Sequence, residues 1–282
     1  MFELSVANLA GGSLDLTGNP NYDVLSVSGL APAAAEINTT PLSVIDGARF
    51  NSARVGLRNI VIRLNINGEI EENRIKLYNI FKPKHAVRVY YKNDHFDVYI
   101  DGYVETFEND FFTMLQQPQI SIICPDPYWR DIATTTVDFE EATALFTFPF
   151  SIPAEGIPFS SVSSSATVFY NDGEDTGGVI TFRALDDGVK NPVFYNVTDN
   201  TFFGVTCTMS RGDTITISTE RGSKYARLYT ALGAMTNLLG SRAEGSSWVT
   251  FRHGDNQIRY DADLGYEKLN CQLSITKKYE GV

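Results

Sequence analysis

Cysteine is scarce in this chain. Cys124, Cys207 and Cys271 are the only three in 282 residues, far apart and with no C-x-x-C spacing. An odd, scattered set of this kind excludes a disulfide framework and reads as buried free thiols, in a chain that folds in a reducing compartment. Histidine is equally thin. His85, His95 and His253 lack the spacing a zinc site needs. No G-x-S-x-G, H-E-x-x-H or Walker loop occurs, which removes the common hydrolase and nucleotide-binding constellations. No apolar run approaches the roughly 18 residues of a membrane-spanning helix. The opening MFELSVANLAGG has neither a basic start nor a long apolar stretch, so no signal peptide is expected. The sequon matches at Asn38-Thr39-Thr40 and Asn196-Val197-Thr198 then read as chance. Positive charge is short as well: 23 Lys and Arg stand against 34 Asp and Glu, for a net charge of −11 and a pI near 4.8. Such a surface repels phosphates and argues against a sequence-specific nucleic-acid reader. These absences predict no enzyme, no cofactor, no metal site and no membrane insertion.

What is present is β-forming. The chain has 18 Phe and 14 Tyr, and 43% of its residues are hydrophobic, enough for sizeable cores. Its length suggests two domains. Phe2–Val6 and Val24–Gly29 read as short strands. Residues 31–48 carry Pro32, Pro41 and an Asp46-Gly47 turn and few charges. They read as an extended arm or loop, docked on a neighbouring subunit or folded over its own domain. Ile60, Ile62, Leu64 and Ile66 alternate with Val61, Arg63, Asn65 and Asn67, a half-buried strand. Residues 69–81 switch to a helical period, with Arg74, Leu77, Tyr78 and Phe81 on one face and glutamates in the first turn. Pro83 stops this helix. A hairpin follows, turning at Lys92–His95, and Gly102–Glu105 is expected to turn into a further strand. The stretch Gln119–Trp129, QISIICPDPYW, is a strand that ends in two prolines unable to continue a ladder, followed by two large rings. It marks a domain seam at Pro125, Pro127, Tyr128 and Trp129, with Tyr128 and Trp129 packing where the halves meet. The organisation predicted is mainly β: a first domain over 1–131 of α+β type, and a β-sandwich over 132–282.

The second half shows frequent turns between strands expected at Val179–Ala184, Phe202–Met209, Thr214–Thr219, Trp248–Phe251 and Gln257–Tyr260. The last strand is the most regular, Leu269, Cys271, Leu273 and Ile275 alternating with polar residues. Residues 231–240 could form one helical turn. Asn171–Asp175 gathers oxygen ligands around Gly173, but its spacing misses the calcium loop, and a tight turn is the simpler reading. Arg211-Gly212-Asp213 reads as a turn. Asp138, Glu140 and Glu141 form an acidic group that reads as a solvated face. Tyr170, Tyr195, Trp248, Tyr260 and Tyr266 lie near turns. Packing explains them more simply than a sugar-stacking platform, with Tyr170 and Trp248 kept as candidate sugar or partner contacts.

Several phrases come in a family's order and spacing. They are Arg58–Ile62, Asn73-Arg74, Leu77–Phe81, Gly102–Glu105, Gln119–Ile122 and Cys124–Trp129. The second half adds Asn171–Asp175, Thr214–Thr219, and Ser247-Trp248 through Gly254–Ile258. Together they resemble the siphophage distal tail protein (Dit) family over most of residues 20–282. His253 and Gly178 stand where that family often has proline. The resemblance implies an N-terminal β-sandwich with one helix and a projecting arm or hairpin, forming a homohexameric ring, and a C-terminal galectin-like β-sandwich outside it. It implies a structural role at the tip of a long non-contractile tail, in a virion assembled in the bacterial cytoplasm. The partners implied are the tail tube protein, a tail-tip hub or tail-associated protein, and receptor-binding proteins, with DNA passing through the ring. The alternative reading is a carbohydrate-binding module contacting host cell-wall polysaccharide.

Overall fold

The computed structural model describes residues 2–43, 45–111, 113, 115–139, 142–144, 160–162 and 166–282. Val44, Glu140, Glu141 and Ser163-Ser164-Ser165, which enter the sequence reading above, lie outside the described residues. The chain divides into two compact units: Met1–Ala133 with Lys278–Val282, and Thr134–Lys277.

The first unit contains β1 (Glu3–Asn8), β2 (Ser13–Asp15), β3 (Tyr22–Ser28), β4 (Ala35–Pro41), β5 (Ala48–Val55) and β6 (Arg58–Ile66). Helix α1 (Ile70–Ile80) and strands β7 (Ala86–Lys92), β8 (Asp97–Glu108), β9 (Gln119–Cys124) and β10 (Trp129–Asp138) follow, β10 carrying the chain out of the unit. One sheet runs β2-β1-β7-β8-β10; the other runs β3-β6-β9 and also ends on β8. Strand β8 therefore serves both sheets. The sequence suggested a turn at Gly102–Glu105, but the strand is continuous, with a bulge between Val104 and Thr106. Gly102 makes the corner feasible. A Cβ there would lie 2.6 Å from Ile122 Cγ2 and 2.8 Å from Cys124 Sγ, so only glycine lets β8 pass this close. The alternation read in β6 buries Ile60, Ile62, Leu64 and Ile66 against Leu4, Val6, Val87, Val89 and Ile100 of the other sheet.

Helix α1 closes one end of this core with Leu77 and Ile80, and Phe81 follows them inside. Its buried face differs from the one expected. Asn73 is inside, because its amide donates to the Asn67 carbonyl at 2.8 Å and its carbonyl accepts from the Tyr22 hydroxyl at 2.9 Å. Ile75 is left exposed.

The second unit contains β11 (Ala142–Ala144), β12 (Ser160–Val162), β13 (Thr167–Asn171), β14 (Val179–Ala184), β15 (Val189–Asn196), β16 (Thr201–Gly204) and β17 (Thr208–Met209). It continues with β18 (Thr214–Ser218), β19 (Tyr225–Tyr229), β20 (Met235–Asn237), β21 (Gly254–Leu264) and β22 (Leu269–Tyr279), the last of which re-enters the first unit at Lys278. One layer is β22-β14-β18-β19-β20 and the other β13-β21-β15-β16 with β17 beside β15. Ile180, Phe182, Ile215, Ile217, Cys271 and Leu273 of the first layer meet Phe169, Phe194, Phe203, Ile258 and Tyr260 of the second. This is a β-sandwich, as the frequent turns between short strands suggested. The strand expected over Phe202–Met209 is split in two. Trp248–Phe251 is irregular, touching the ladder only where Phe251 bridges Thr176, and residues 235–241 form a short strand and a 3-10 turn.

Candidate assembly surfaces

Strands β4 (Ala35–Pro41) and β5 (Ala48–Val55) form an antiparallel hairpin and, among the described residues, pair only with each other. The sequence suggested an extended arm or loop over residues 31–48; the structure pairs 35–41 with 48–55. The β-branched Ile37, Thr39 and Thr40 and the Asp46-Gly47 turn, with Gly47 at φ +106°, are the local cause of the hairpin. Glu36 and Arg54 pair at 2.7 Å, and Asn51 donates to Thr40 Oγ1 at 2.7 Å. Every described residue of the two strands is exposed except Val55, which is half-buried, and Ile37 and Phe50 keep 64% and 61% of their surface open. A two-stranded hairpin with no third layer is at best marginally stable in water. Exposed side chains of this size raise that cost further.

A second exposed apolar feature is the connection between β8 and β9, where Phe111 and Leu115 face solvent. Beside it Tyr78 of α1 meets Phe107 edge-on at 4.9 Å, and the Arg74 guanidinium lies 5.0 Å from the Phe111 ring. Tyr78, Phe81, Pro83, Phe107 and Phe111 line an open groove of about 460 Å³. Among the described residues its titratable lining is Tyr78 and Lys82. No cluster of three His, Cys, Asp or Glu suited to a metal occurs among the described residues. Burial pushes the Cys124 thiol up to about 12 and Cys207 up to about 11, and raises Cys271 as well, so none is a nucleophile at neutral pH.

The four residues assigned to the seam fall at the end of the first unit. Pro125 is exposed and Pro127 buried, its carbonyl accepting from Arg58 Nε at 2.6 Å. Tyr128 is half-buried with Lys278 Nζ 6.0 Å from its ring. Trp129 is fully buried in the first unit's core, 6.2 Å from Tyr91 and 5.8 Å from the Arg58 guanidinium. Of the two candidate contact residues in the second unit, Tyr170 is exposed with His253 at its edge, 6.3 Å away. Trp248 is half-buried, tilted on Phe203 at 4.7 Å, with Lys224 Nζ 5.2 Å from its ring.

The second-unit phrases converge in space. Asn171 Oδ1 accepts from Gly173, and its amide donates to the Glu174 and Phe251 carbonyls. Asn256 clamps the 252–254 turn from both sides, accepting from the Arg252 amide and donating to the Arg252 and Gly254 carbonyls. Asn196 donates to the Thr250 carbonyl. All three asparagines are fully buried, so these side chains replace strand pairing along the irregular 250–253 segment. Asn171–Asp175 is thus a turn, and Asp172 forms an ion pair with Lys277 at 2.8 Å. His253 and Gly178 both use an N–H that proline lacks: His253 donates to Asp175 Oδ1 at 3.2 Å and Gly178 to Thr219 Oγ1 at 3.0 Å.

No family model and no curated protein matches the chain. Solved structures do match it over its full length. The SPP1 Dit protein, described as a paradigm of the hub adsorption apparatus in phages infecting Gram-positive hosts, superposes with a TM-score of 0.71 at 12% identity, over 98% of this chain and 99% of that one. The chain has the fold of a phage Dit hub protein. The phage P2 baseplate in its activated conformation with calcium matches at a TM-score of 0.53 and 12% identity, covering 100% of both chains. Its strontium form matches at 0.52 and 12%, covering 98% of each. The match to the SPP1 Dit protein thus spans both units.

Proposed function

We propose that this chain is a structural hub at the tip of a long non-contractile phage tail. It forms a homohexameric ring through its first unit, joins the tail tube to the baseplate and receptor-binding apparatus, and lets DNA pass through the ring. The second unit sits on the outside and receives partner proteins, and Pro125, Pro127, Tyr128 and Trp129 form the seam before it. The fold shared with the SPP1 Dit protein supports this reading. The observation that carries it is the arm: a hairpin with exposed Ile37, Leu42, Ile45 and Phe50 gains a packed layer only from another molecule. The same contact repeated around a closed ring satisfies every arm once. A net charge of −11 suits a conduit, because a lumen that bound phosphates would retard DNA. Sedimentation of the purified chain beside a variant with residues 35–55 replaced by a short turn tests the reading. A closed oligomer for the chain and a folded monomer for the variant are expected. A chain that stays monomeric at its highest soluble concentration overturns it.

A further inference from the structure

We propose that Arg58 is a positioning residue that sets the root of the arm by clasping it to the C-terminal segment Lys278–Val282. Arg58 opens β6 and is only 2% exposed. Each of its hydrogen bonds goes to a backbone carbonyl. Nε donates to Pro127, Nη1 to Gly29 and to Ala31 (the latter at 2.6 Å), and Nη2 to Glu280. Trp129 lies 5.8 Å from the guanidinium. One charged side chain therefore joins three segments distant in sequence to the start of β6. A guanidinium presents donors along several fixed directions, which a lysine ammonium does not.

The segment Gly29–Ala34 leads directly into the arm. Gly29 adopts φ +88°, and a Cβ there would lie 2.2 Å from the Asn59 carbonyl oxygen, so the root is seated backbone against backbone on β6. The C-terminal segment lies along the other side. The Val282 amide donates to the Leu30 carbonyl at 3.2 Å. Gly281 faces Pro32 so closely that a Cβ would stand 2.7 Å from Pro32 Cδ. Tyr279 anchors the segment, edge-on to Phe96 at 5.1 Å. None of these parts moves without leaving a buried guanidinium short of acceptors, which is costly. Burial lowers the Arg58 pKa below its usual value, partly opposed by Cys124 and by the Glu280 carboxylate. The arm root is thus fixed only while residues 280–282, which follow the chain's return from the second unit, are in place.

The geometry stands on its own; the consequence for assembly rests on the ring reading. Gly281→Val separates the two, because it wedges the segment off Pro32 without touching Arg58 or Trp129. Hydrogen exchange of peptides covering 28–34 is expected to accelerate about tenfold, with exchange in the β6 and β9 core unchanged. The concentration for ring assembly is expected to rise by about tenfold. Arg58→Lys is expected to give the same pattern, and Arg58→Met a stronger one. Wild-type exchange at 28–34 in Gly281→Val overturns the clasp. Accelerated exchange with wild-type assembly overturns the positioning role. If the unaltered chain itself forms no ring, the ring reading fails and the exchange result alone decides the clasp.

Discussion

Trp129 is committed to packing, with its indole Nε1 buried and without a hydrogen-bond partner. Its ring is fully enclosed, touched by Tyr91 and by the same arginine that gathers Gly29, Ala31 and Glu280. Trp129→Ala is expected to cost the first unit about 3–5 kcal/mol, by removing a buried ring and leaving Arg58 beside a cavity. Chemical denaturation followed at a first-unit probe checks this. Trp248→Ala should cost less, about 2 kcal/mol, since the ring is half-buried on Phe203. Tyr170→Ala should stay within about 0.5 kcal/mol of wild type, since its side chain is largely exposed. The thiols give a pH dependence. The folded chain holds Cys124 near 12 and Cys207 near 11, whereas an unfolded thiol ionises near about 8.5. Above that pH the unfolded state loses thiol protons that the folded state keeps, so stability falls as pH rises. Each thiol contributes a slope of up to about 1.4 kcal/mol per pH unit between the two values. Replacing Cys207 with Ala should flatten the decline in denaturation midpoint between pH 9 and 11 by its share. An unchanged slope would contradict the account.

At the scale of elements, period-two alternation made the buried strands legible. β6 and β22 were readable because each has one wet face and one dry face, and α1 because Pro83 and the acidic first turn frame it. Three kinds of element were not. β8 looked like two strands because Gly102 usually marks a turn; here the missing side chain serves close approach to Ile122 and Cys124. Trp248–Phe251 has the composition of a strand, yet asparagine side chains hold it irregular, which needs residues 171, 196 and 256 to meet in space. Arg58 entered the sequence reading only within the phrase Arg58–Ile62, because its carbonyl partners at 29, 31, 127 and 280 are scattered over the chain. The arm lay between these cases: its turn was visible, but its pairing was not, because neither strand alternates when both faces are wet. Gly102→Ala is expected to destabilise the first unit by about 1–3 kcal/mol through overpacking against Ile122 and Cys124. A melting temperature equal to wild type would show that the β8 corner relaxes freely.

At the scale of the whole molecule, two β units share one chain. The first carries the unpaired hairpin, the second a sandwich whose loops are held by buried asparagines, and an acidic balance runs over both. That acidic balance disfavours phosphate contacts, so duplex DNA should show no saturable binding in a mobility assay at low salt, where any basic site would bind most strongly. The central claim is that the first unit closes into a ring with an open axis. Negative-stain electron microscopy of the purified chain tests it most directly. The account predicts closed rings of about six copies with a central opening, lost when residues 35–55 are removed; a field of single particles the size of one chain, or open filaments without closure, would contradict it.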